Sequence, residues 1–119
     1  MYGLTVRWSL VGAPKGTLRA LRTYVEDESY AKFAGLEGLR FKTWRAHKGE
    51  WFEGSYVFVS DEARADFQAS FEKQAAGSAG SKIIGSEPIL IEPCEIIGVV
   101  RGPAGFRSSS HFEHGSKDD

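Results

Sequence analysis

Hydrophobic and polar positions alternate strictly near the start of the chain. Within residues 4–10 the apolar side chains share one side of the pattern: Leu4, Val6, Trp8 and Leu10. A period of two residues is typical of a β-strand with one buried face. Glycine and proline in the segment 12–16 end the alternation. We therefore predict a first strand followed by a turn.

The apolar spacing then changes to that of a helix, from about Thr17 to Phe33. Its apolar and aromatic positions recur near 3.6 residues: Leu18, Leu21, Tyr24, Val25, Tyr30 and Phe33. Charged residues fill the other side, which predicts an amphipathic helix that frays near residues 28–29. Gly35 and Gly38 are expected to end it.

Two strands are predicted over residues 39–46 and 51–59, joined by the loop 47–50, which contains a glycine. If the loop is symmetric, Thr43 lies opposite Gly54. One face of the hairpin then carries Leu39, Phe41, Thr43, Arg45, Phe52, Gly54, Tyr56 and Phe58. The other carries Arg40, Lys42, Trp44, Trp51, Glu53, Ser55, Val57 and Val59. A slip of one residue would exchange the faces, so this register is an assumption.

A second helix is expected to begin after Ser60, which can cap its first turn and is followed by two acids. Its inward positions are Ala63, Phe67, Ser70, Phe71 and Gln74. The small residues of segment 75–81 are expected to form a loop. Two β-like runs, 88–92 and 95–100, then flank Pro93, and a proline there indicates a bulge, a bend or an edge strand.

The order β-α-β-β-α-β predicts one α+β domain of ferredoxin-like fold over residues 1–100, with an antiparallel sheet and two helices on one face. Residues 101–119 are rich in glycine, serine, histidine and acids. We expect this segment to be a flexible tail.

The face of the sheet turned away from the helices would expose Trp44 and Trp51. Such an apolar patch is large for a monomer. A self-complementary contact would bury it, so we expect a homodimer. Its predicted interface residues are Arg7, Lys42, Trp44, Trp51 and Glu53. The alternative is that both tryptophans lie at the hairpin edges and are half-exposed.

Composition indicates which classes of partner and which cellular compartment to expect. The 119 residues carry 15 Lys and Arg against 16 Asp and Glu, without the clustered basic excess typical of nucleic-acid binding. No apolar run approaches the roughly 20 residues that cross a bilayer, and the N-terminus lacks a signal-peptide pattern. The single cysteine suits a reducing compartment. We expect a cytoplasmic protein without nucleic-acid or membrane partners.

No metal site or cofactor site is expected. His111 and His114 are three residues apart but lie in the predicted tail, and His47 lies in the hairpin loop. Cys94 has no nearby histidine that could serve as its base, so we expect a buried structural cysteine.

The best candidate ligand site lies on the predicted helix-facing side of the sheet. Its residues are Trp8, Phe41, Thr43, Phe67 and Phe71 for binding, with Tyr56 and Arg45 as catalytic candidates. Gly54 leaves the sheet without bulk, so a pocket could open there. The rings would stack on a planar ligand, Tyr56 would donate a hydrogen bond and Arg45 would pair with an anionic group. The alternative for each residue is ordinary core packing.

The hairpin also resembles a known family. Lys42-Thr43-Trp44 on one strand and the run 54–62 (Gly-Ser-Tyr-Val-Phe-Val-Ser-Asp-Glu) are similar to the YdhR-like monooxygenases of the dimeric α/β-barrel superfamily, which includes the antibiotic-biosynthesis monooxygenases. The resemblance implies a pocket between helices and sheet, and subunits that meet sheet to sheet. It implies oxidation of electron-rich aromatic compounds without metal or flavin. This chain has no asparagine, which disfavours an asparagine-assisted mechanism.

Two functions from different classes follow. The first is a cofactor-independent monooxygenase, or a related small-molecule enzyme, that acts on a hydrophobic aromatic compound. The second is a non-catalytic ligand-binding or stress-associated dimer that uses the same pocket. An isomerase of small lactones is a weaker third, because the predicted pocket contains no carboxylate.

Overall fold

The computed structural model describes residues 1–108 of the chain. Four strands form one antiparallel sheet in the spatial order β2-β3-β1-β4. Their bounds are β1 (Tyr2–Ser9), β2 (Leu39–His47), β3 (Trp51–Phe58) and β4 (Leu90–Glu95). The predicted ferredoxin-like α+β fold is confirmed.

A helical run between β1 and β2 has three parts: α1 (Thr17–Tyr24), a π-helical turn (Val25–Ser29) and α2 (Tyr30–Ala34). The π-helical turn lies where we expected fraying. There the Tyr30 N–H donates to the carbonyl of Val25, so the wider turn keeps its backbone hydrogen bonds.

The second helix, α3 (Asp61–Gln74), begins as predicted. The Ser60 side chain accepts a hydrogen bond from the Ala63 N–H at 3.1 Å. The expected loop over 75–81 is wrong, because a 3-10 turn (Ala75–Gly77) and a short helix, α4 (Ala79–Ile84), follow α3. The Ser78 side chain caps α4 by accepting from the Ser81 N–H.

The core lies between the helices and one face of the sheet. Alternate residues of β1 and β3 meet apolar side chains of the first helical run and of α4: Leu4, Val6, Trp8, Phe52, Tyr56, Phe58, Leu21, Val25, Phe33 and Ile84. Phe67 and Phe71 of α3 pack against this cluster. The predicted inward faces of β1 and β3 are thus confirmed.

The hairpin register differs from the prediction by one residue. His47 pairs with Trp51, so the connecting loop has three residues rather than four. The loop closes through a hydrogen bond from the Glu50 N–H to the His47 carbonyl at 2.9 Å, with Gly49 at a φ of +76°. A glycine in the left-handed region is typical of three-residue hairpins.

This shift exchanges the two faces of β2, because side chains alternate along a strand. Trp44 rather than Thr43 lies opposite Gly54. Lys42 and Trp44 therefore point towards the helices, whereas Phe41, Thr43 and Arg45 lie on the opposite face, which we call the open face. The predicted faces of these five residues were wrong.

β4 is an edge strand that pairs with β1 and contains Pro93, one of the placements expected for that proline. Cys94 is exposed on β4, so its predicted burial is wrong. It pairs with Gly3 at the open face, which the helices do not cover. A second β-like run was predicted over residues 95–100, but β4 ends at Glu95.

The segment after β4 forms no helix or strand over residues 96–108. Residues 109–119, with His111 and His114, lie outside the described part of the chain, so the tail stays a prediction. Among residues 1–108, no helix has both the length and the apolar character needed to cross a membrane.

Gly38 should tolerate alanine less well than Gly85 does. Both residues have a positive φ, +86° and +89°. A Cβ at Gly38 would lie 2.8 Å from the Ala63 Cβ, whereas a Cβ at Gly85 would meet nothing within 4 Å. We expect Gly85→Ala to lower the free energy of unfolding by about 1–2 kcal/mol and Gly38→Ala by a further ~1–3 kcal/mol. Urea denaturation measures both free energies of unfolding. Equal losses for the two variants would contradict the close contact between residue 38 and Ala63.

Candidate functional site

Lys42 and Tyr56 form a buried polar pair on the helix-facing side of the sheet. The Lys42 Nζ donates a hydrogen bond to the Tyr56 hydroxyl oxygen at 2.9 Å. Tyr56 is only 3% exposed, while Lys42 is partly buried. The one-residue shift of β2 is what brings the two side chains to the same face.

Gly54 provides the room for this pair. A Cβ on Gly54 would lie 3.1 Å from the Lys42 Cε and 3.4 Å from the Tyr56 hydroxyl oxygen. The missing bulk at Gly54 was expected to open a pocket. Instead, the Lys42 and Tyr56 side chains fill that space.

Aromatic rings surround the Lys42 amine. Its Nζ lies 3.5 Å from the ring centroid of Phe33, 4.2 Å from that of Tyr56 and 4.6 Å from that of Trp44. The Phe33 and Trp44 rings meet edge to face, with centroids 5.9 Å apart. We call Lys42, Phe33, Trp44 and Tyr56 the lysine box. Phe33 comes from α2, so the box joins the first helical run to the hairpin.

The lysine box changes the acidity of both polar groups. Burial holds the pKa of Lys42 well below its ordinary value of 10.5, and the positive charge of Lys32 lowers it further. The ring faces act in the opposite direction, because they attract a cation. Burial also raises the pKa of Tyr56, with a smaller contribution from Tyr24. The Lys42 amine therefore loses its proton more easily than an ordinary lysine does, and the Tyr56 hydroxyl ionises less easily than an ordinary tyrosine does.

A cleft of about 460 Å³ opens beside the lysine box, a volume within the usual range of small-molecule sites. It is lined by Leu36, Glu37, Gly38, Phe58, Ser60, Glu62, Ala63, Asp66, Phe67 and Ser70. The Phe67 ring has its centroid 4.9 Å from that of Tyr56 and 6.0 Å from that of Phe33. Phe67 is thus both a wall of the cleft and a neighbour of the box.

The open face carries a separate ionic cluster. Glu53 is 1% exposed and accepts hydrogen bonds from Arg7, at 3.0 and 2.9 Å, and from Arg45. Both guanidinium groups lie over the Trp51 ring, 4.3 and 5.3 Å from its centroid. Burial acts to raise the pKa of Glu53, but the hydrogen bonds and charges of Arg45 and Arg7 outweigh it and lower this pKa. The carboxylate therefore stays ionised.

The predicted ligand residues do not all come together. Tyr56, Phe67, Trp8 and Phe71 lie on the helix-facing side, as expected. Trp8 is fixed in the core, because its Nε1 donates to the Ser81 Oγ at 3.0 Å. It meets the edge of Phe71, with ring centroids 6.2 Å apart.

Phe41, Thr43 and Arg45 lie across the sheet from Tyr56 and do not share its site. Their predicted roles in ligand binding, and that of Arg45 in catalysis, rested on the wrong register. Lys42 and Trp44, expected on the interface face, belong to the lysine box instead. Sequence reasoning missed Lys42 as a site residue, although Gly49 in a three-residue hairpin loop was a usable signal for the correct register.

Metal-ligating side chains do not converge in the described part of the chain. Within residues 1–108, no three His, Cys, Asp or Glu side chains come close enough to hold a metal ion. The polar groups of the lysine box are an amine and a phenol, which suit an organic ligand with an acidic hydroxyl or a carbonyl group.

Comparisons with known proteins show the fold. No protein-family model and no curated protein matches the chain. The solved structure of the monooxygenase ActVA-Orf6 of Streptomyces coelicolor, in complex with nanaomycin D, is similar at 17% identity, covering 85% of this chain and 91% of that one, with a TM-score of 0.61. The NE2512 protein of unknown function from Nitrosomonas europaea is similar at 20% identity, covering 87% and 95%, with a TM-score of 0.59.

These likenesses show the fold of the chain and nothing finer. Both identities lie below the level at which a shared activity follows from a shared fold. The narrower resemblance to the YdhR-like family stays a prediction.

The lowered pKa of Lys42 predicts a pH-dependent stability. Between its folded pKa and its unfolded value near 10.5, the unfolded chain binds a proton that the folded chain does not, so stability rises with pH. Wild type should therefore gain stability relative to Lys42→Met between pH 7 and pH 10, by at most about 1.4 kcal/mol per pH unit. Urea denaturation across this range measures the difference. Lys48→Met, at an exposed turn position, is the matched control. A difference in unfolding free energy between wild type and Lys42→Met that does not change with pH would contradict the lowered pKa of Lys42.

Proposed function

We propose that this chain is a cofactor-independent monooxygenase that oxidises a hydroxyaromatic compound at the lysine box. The observation that carries the proposal is the Lys42 amine, 2.9 Å from the Tyr56 hydroxyl and enclosed by aromatic rings. The fold supports it, since a structural neighbour with this fold is a monooxygenase.

Substrate activation begins with a proton transfer to Lys42. A neutral amine accepts the proton of a phenolic hydroxyl, and the ammonium group formed then stabilises the phenolate, together with a hydrogen bond from Tyr56. Lys32 adds positive charge nearby, because its Nζ lies 5.2 Å from the centroid of the Phe33 ring. Lys32 and the ammonium group formed on Lys42 therefore both stabilise the phenolate.

The oxidation balances with dioxygen as the only oxidant. The ring carbon para to the phenolate oxygen forms a C–O bond to dioxygen, and the peroxide takes up the proton held by Lys42. The ring C–H proton then leaves, the O–O bond breaks and water departs. The net change converts a phenol and dioxygen into a quinone and water. All four electrons come from the substrate, so no external reductant is needed.

Entry to the lysine box is proposed through the cleft beside α3. Phe67 borders both spaces, and its ring is partly buried rather than locked in the core. Rotation of this side chain would join the cleft to the Tyr56 hydroxyl. Phe58 and Phe67 would stack on the aromatic substrate as it enters.

A non-catalytic ligand-binding protein is the second candidate. The specific observation in its favour is the position of the cleft, which Phe67 separates from Lys42. A ligand held in the cleft alone would meet Glu37, Glu62 and Asp66 but not the amine.

A homodimer through the open face is also proposed. Trp44 no longer supports it, because that ring packs in the lysine box. The remaining grounds are Trp51 and Phe41 on a sheet face that no helix of residues 1–108 covers, and exposed apolar side chains after β4, with Ile97 92% and Val100 90% exposed. A second copy would cover the same patch on both subunits through a two-fold contact.

Oxygen uptake tests the proposed reaction. With a panel of phenols and naphthols whose position para to the hydroxyl group carries hydrogen, wild type should consume dioxygen and form quinone and water. Lys42→Met should lower kcat/KM by about 100-fold or more, the usual contribution of a general base. Tyr56→Phe should lower it less, because it removes one hydrogen bond to the phenolate. Lys48→Met is the matched control. Ligand binding without turnover would instead identify the non-catalytic candidate.

Sedimentation velocity tests the dimer. Wild type at micromolar concentration should sediment as a dimer, and Trp51→Glu should sediment as a monomer, because it places a charge in the proposed contact. Val11→Glu, at an exposed position in the turn after β1, is the control and should stay dimeric. A wild-type monomer would refute the proposal.

A further inference from the structure

Lys42 is set apart from the other lysines of the chain. Residues 1–108 contain six lysines, and five of them are exposed: Lys15, Lys32, Lys48, Lys73 and Lys82. Among these six, Lys42 is the partly buried one, and its amine lies against three aromatic ring faces rather than one. A lysine in such a setting is suited to act as a nucleophile, because desolvation activates an amine.

We propose that Lys42 is a carbonyl-capture site, at which its Nζ condenses with an aromatic aldehyde or ketone to form an imine. The geometry that carries this inference is the Tyr56 hydroxyl 2.9 Å from the same Nζ. An isolated lysine has no neighbouring group that can transfer protons during condensation. The Lys42 amine has such a group, the Tyr56 hydroxyl, within hydrogen-bond distance. The inference does not depend on the reaction with dioxygen.

The condensation proceeds in two balanced steps. The Nζ lone pair attacks the carbonyl carbon, a C–N bond forms, and Tyr56 passes its proton to the carbonyl oxygen while its own oxygen takes a proton from the nitrogen. Tyr56 then gives its proton to the hydroxyl group of the carbinolamine, which leaves as water, and the remaining proton on nitrogen returns to the Tyr56 oxygen. The net change converts an aldehyde and an amine into an imine and water. Nothing is oxidised or reduced, and Tyr56 ends as it began.

The surroundings of Lys42 select the class of carbonyl compound. Phe33 and Trp44, whose ring faces lie over the Lys42 amine, would pack against an aromatic group bonded to that amine. Lys32 of α2 and Tyr24 of α1 are the other titratable groups that act on the pair, and the charge of Lys32 favours an acidic substituent on the ligand. Burial lowers the pKa of Lys42, which increases the uncharged fraction that can attack a carbonyl.

Reductive trapping tests the inference. Wild type is incubated at pH 7 with 4-carboxybenzaldehyde and sodium cyanoborohydride, which reduces an imine to a stable amine, and adducts are located by peptide mapping. Each unit by which the pKa of an amine falls raises its uncharged fraction about tenfold. We therefore expect Lys42 to label at least about tenfold faster than Lys48. Benzaldehyde, without the acid group, should label Lys42 more slowly.

Two variants distinguish the effect of the lysine box on Lys42 from the general reactivity of lysines with aldehydes. Tyr56→Phe should slow labelling of Lys42 several-fold without changing the rate at Lys48, whereas Lys48→Met should leave labelling of Lys42 unchanged. The N-terminal α-amine also reacts with aldehydes and is scored as a separate peptide.

Labelling of Lys42 that is no faster than that of Lys48 would overturn the inference. Equal labelling of Lys42 in wild type and Tyr56→Phe would also overturn it. Because the assay reads a covalent adduct, it gives its result whether or not the protein consumes dioxygen with phenols. Failure of one proposal is thus distinguishable from failure of the other.

Discussion

Burying the amine of a lysine costs free energy unless the amine loses its proton or gains a partner. At Lys42 burial lowers the pKa, so the amine loses its proton more easily, and Tyr56 accepts its hydrogen bond. The Tyr56 hydroxyl is itself buried and depends on the same bond. Each group therefore satisfies the other, and the chemistry of the lysine box follows from this mutual dependence.

Several parts of the fold are needed to hold this pair. Gly54 leaves the space that the two side chains occupy. The three-residue hairpin loop sets the register that turns Lys42 towards the helices. The π-helical turn continues the first helical run into α2, which carries Phe33 to the amine. A change in any of these would alter the acidity of the pair as well as the packing around it.

Much of the fold could be predicted from the sequence, because β1, the first helical run, β3 and the Ser60 cap carry strong local signals. The site could not, because its residues depend on a register that the pattern of β2 leaves open. Phe41 and Trp44 are both large aromatic residues, so either face of β2 could have been the buried one. The burial expected for Cys94 failed for a related reason, since Pro93 leaves an edge strand, a bend and a bulge open and does not determine which side chains are exposed.

The central claim is that the folded protein holds the Lys42 amine in a state that readily loses its proton. The most direct measurement is an NMR titration of the Lys42 side chain, followed through its Cε and Nζ resonances and assigned with Lys42→Met. Burial and the charge of Lys32 predict a pKa well below the ordinary value of 10.5. A value at or above 10.5 would show that the ring faces hold the amine as a cation, and would contradict the account.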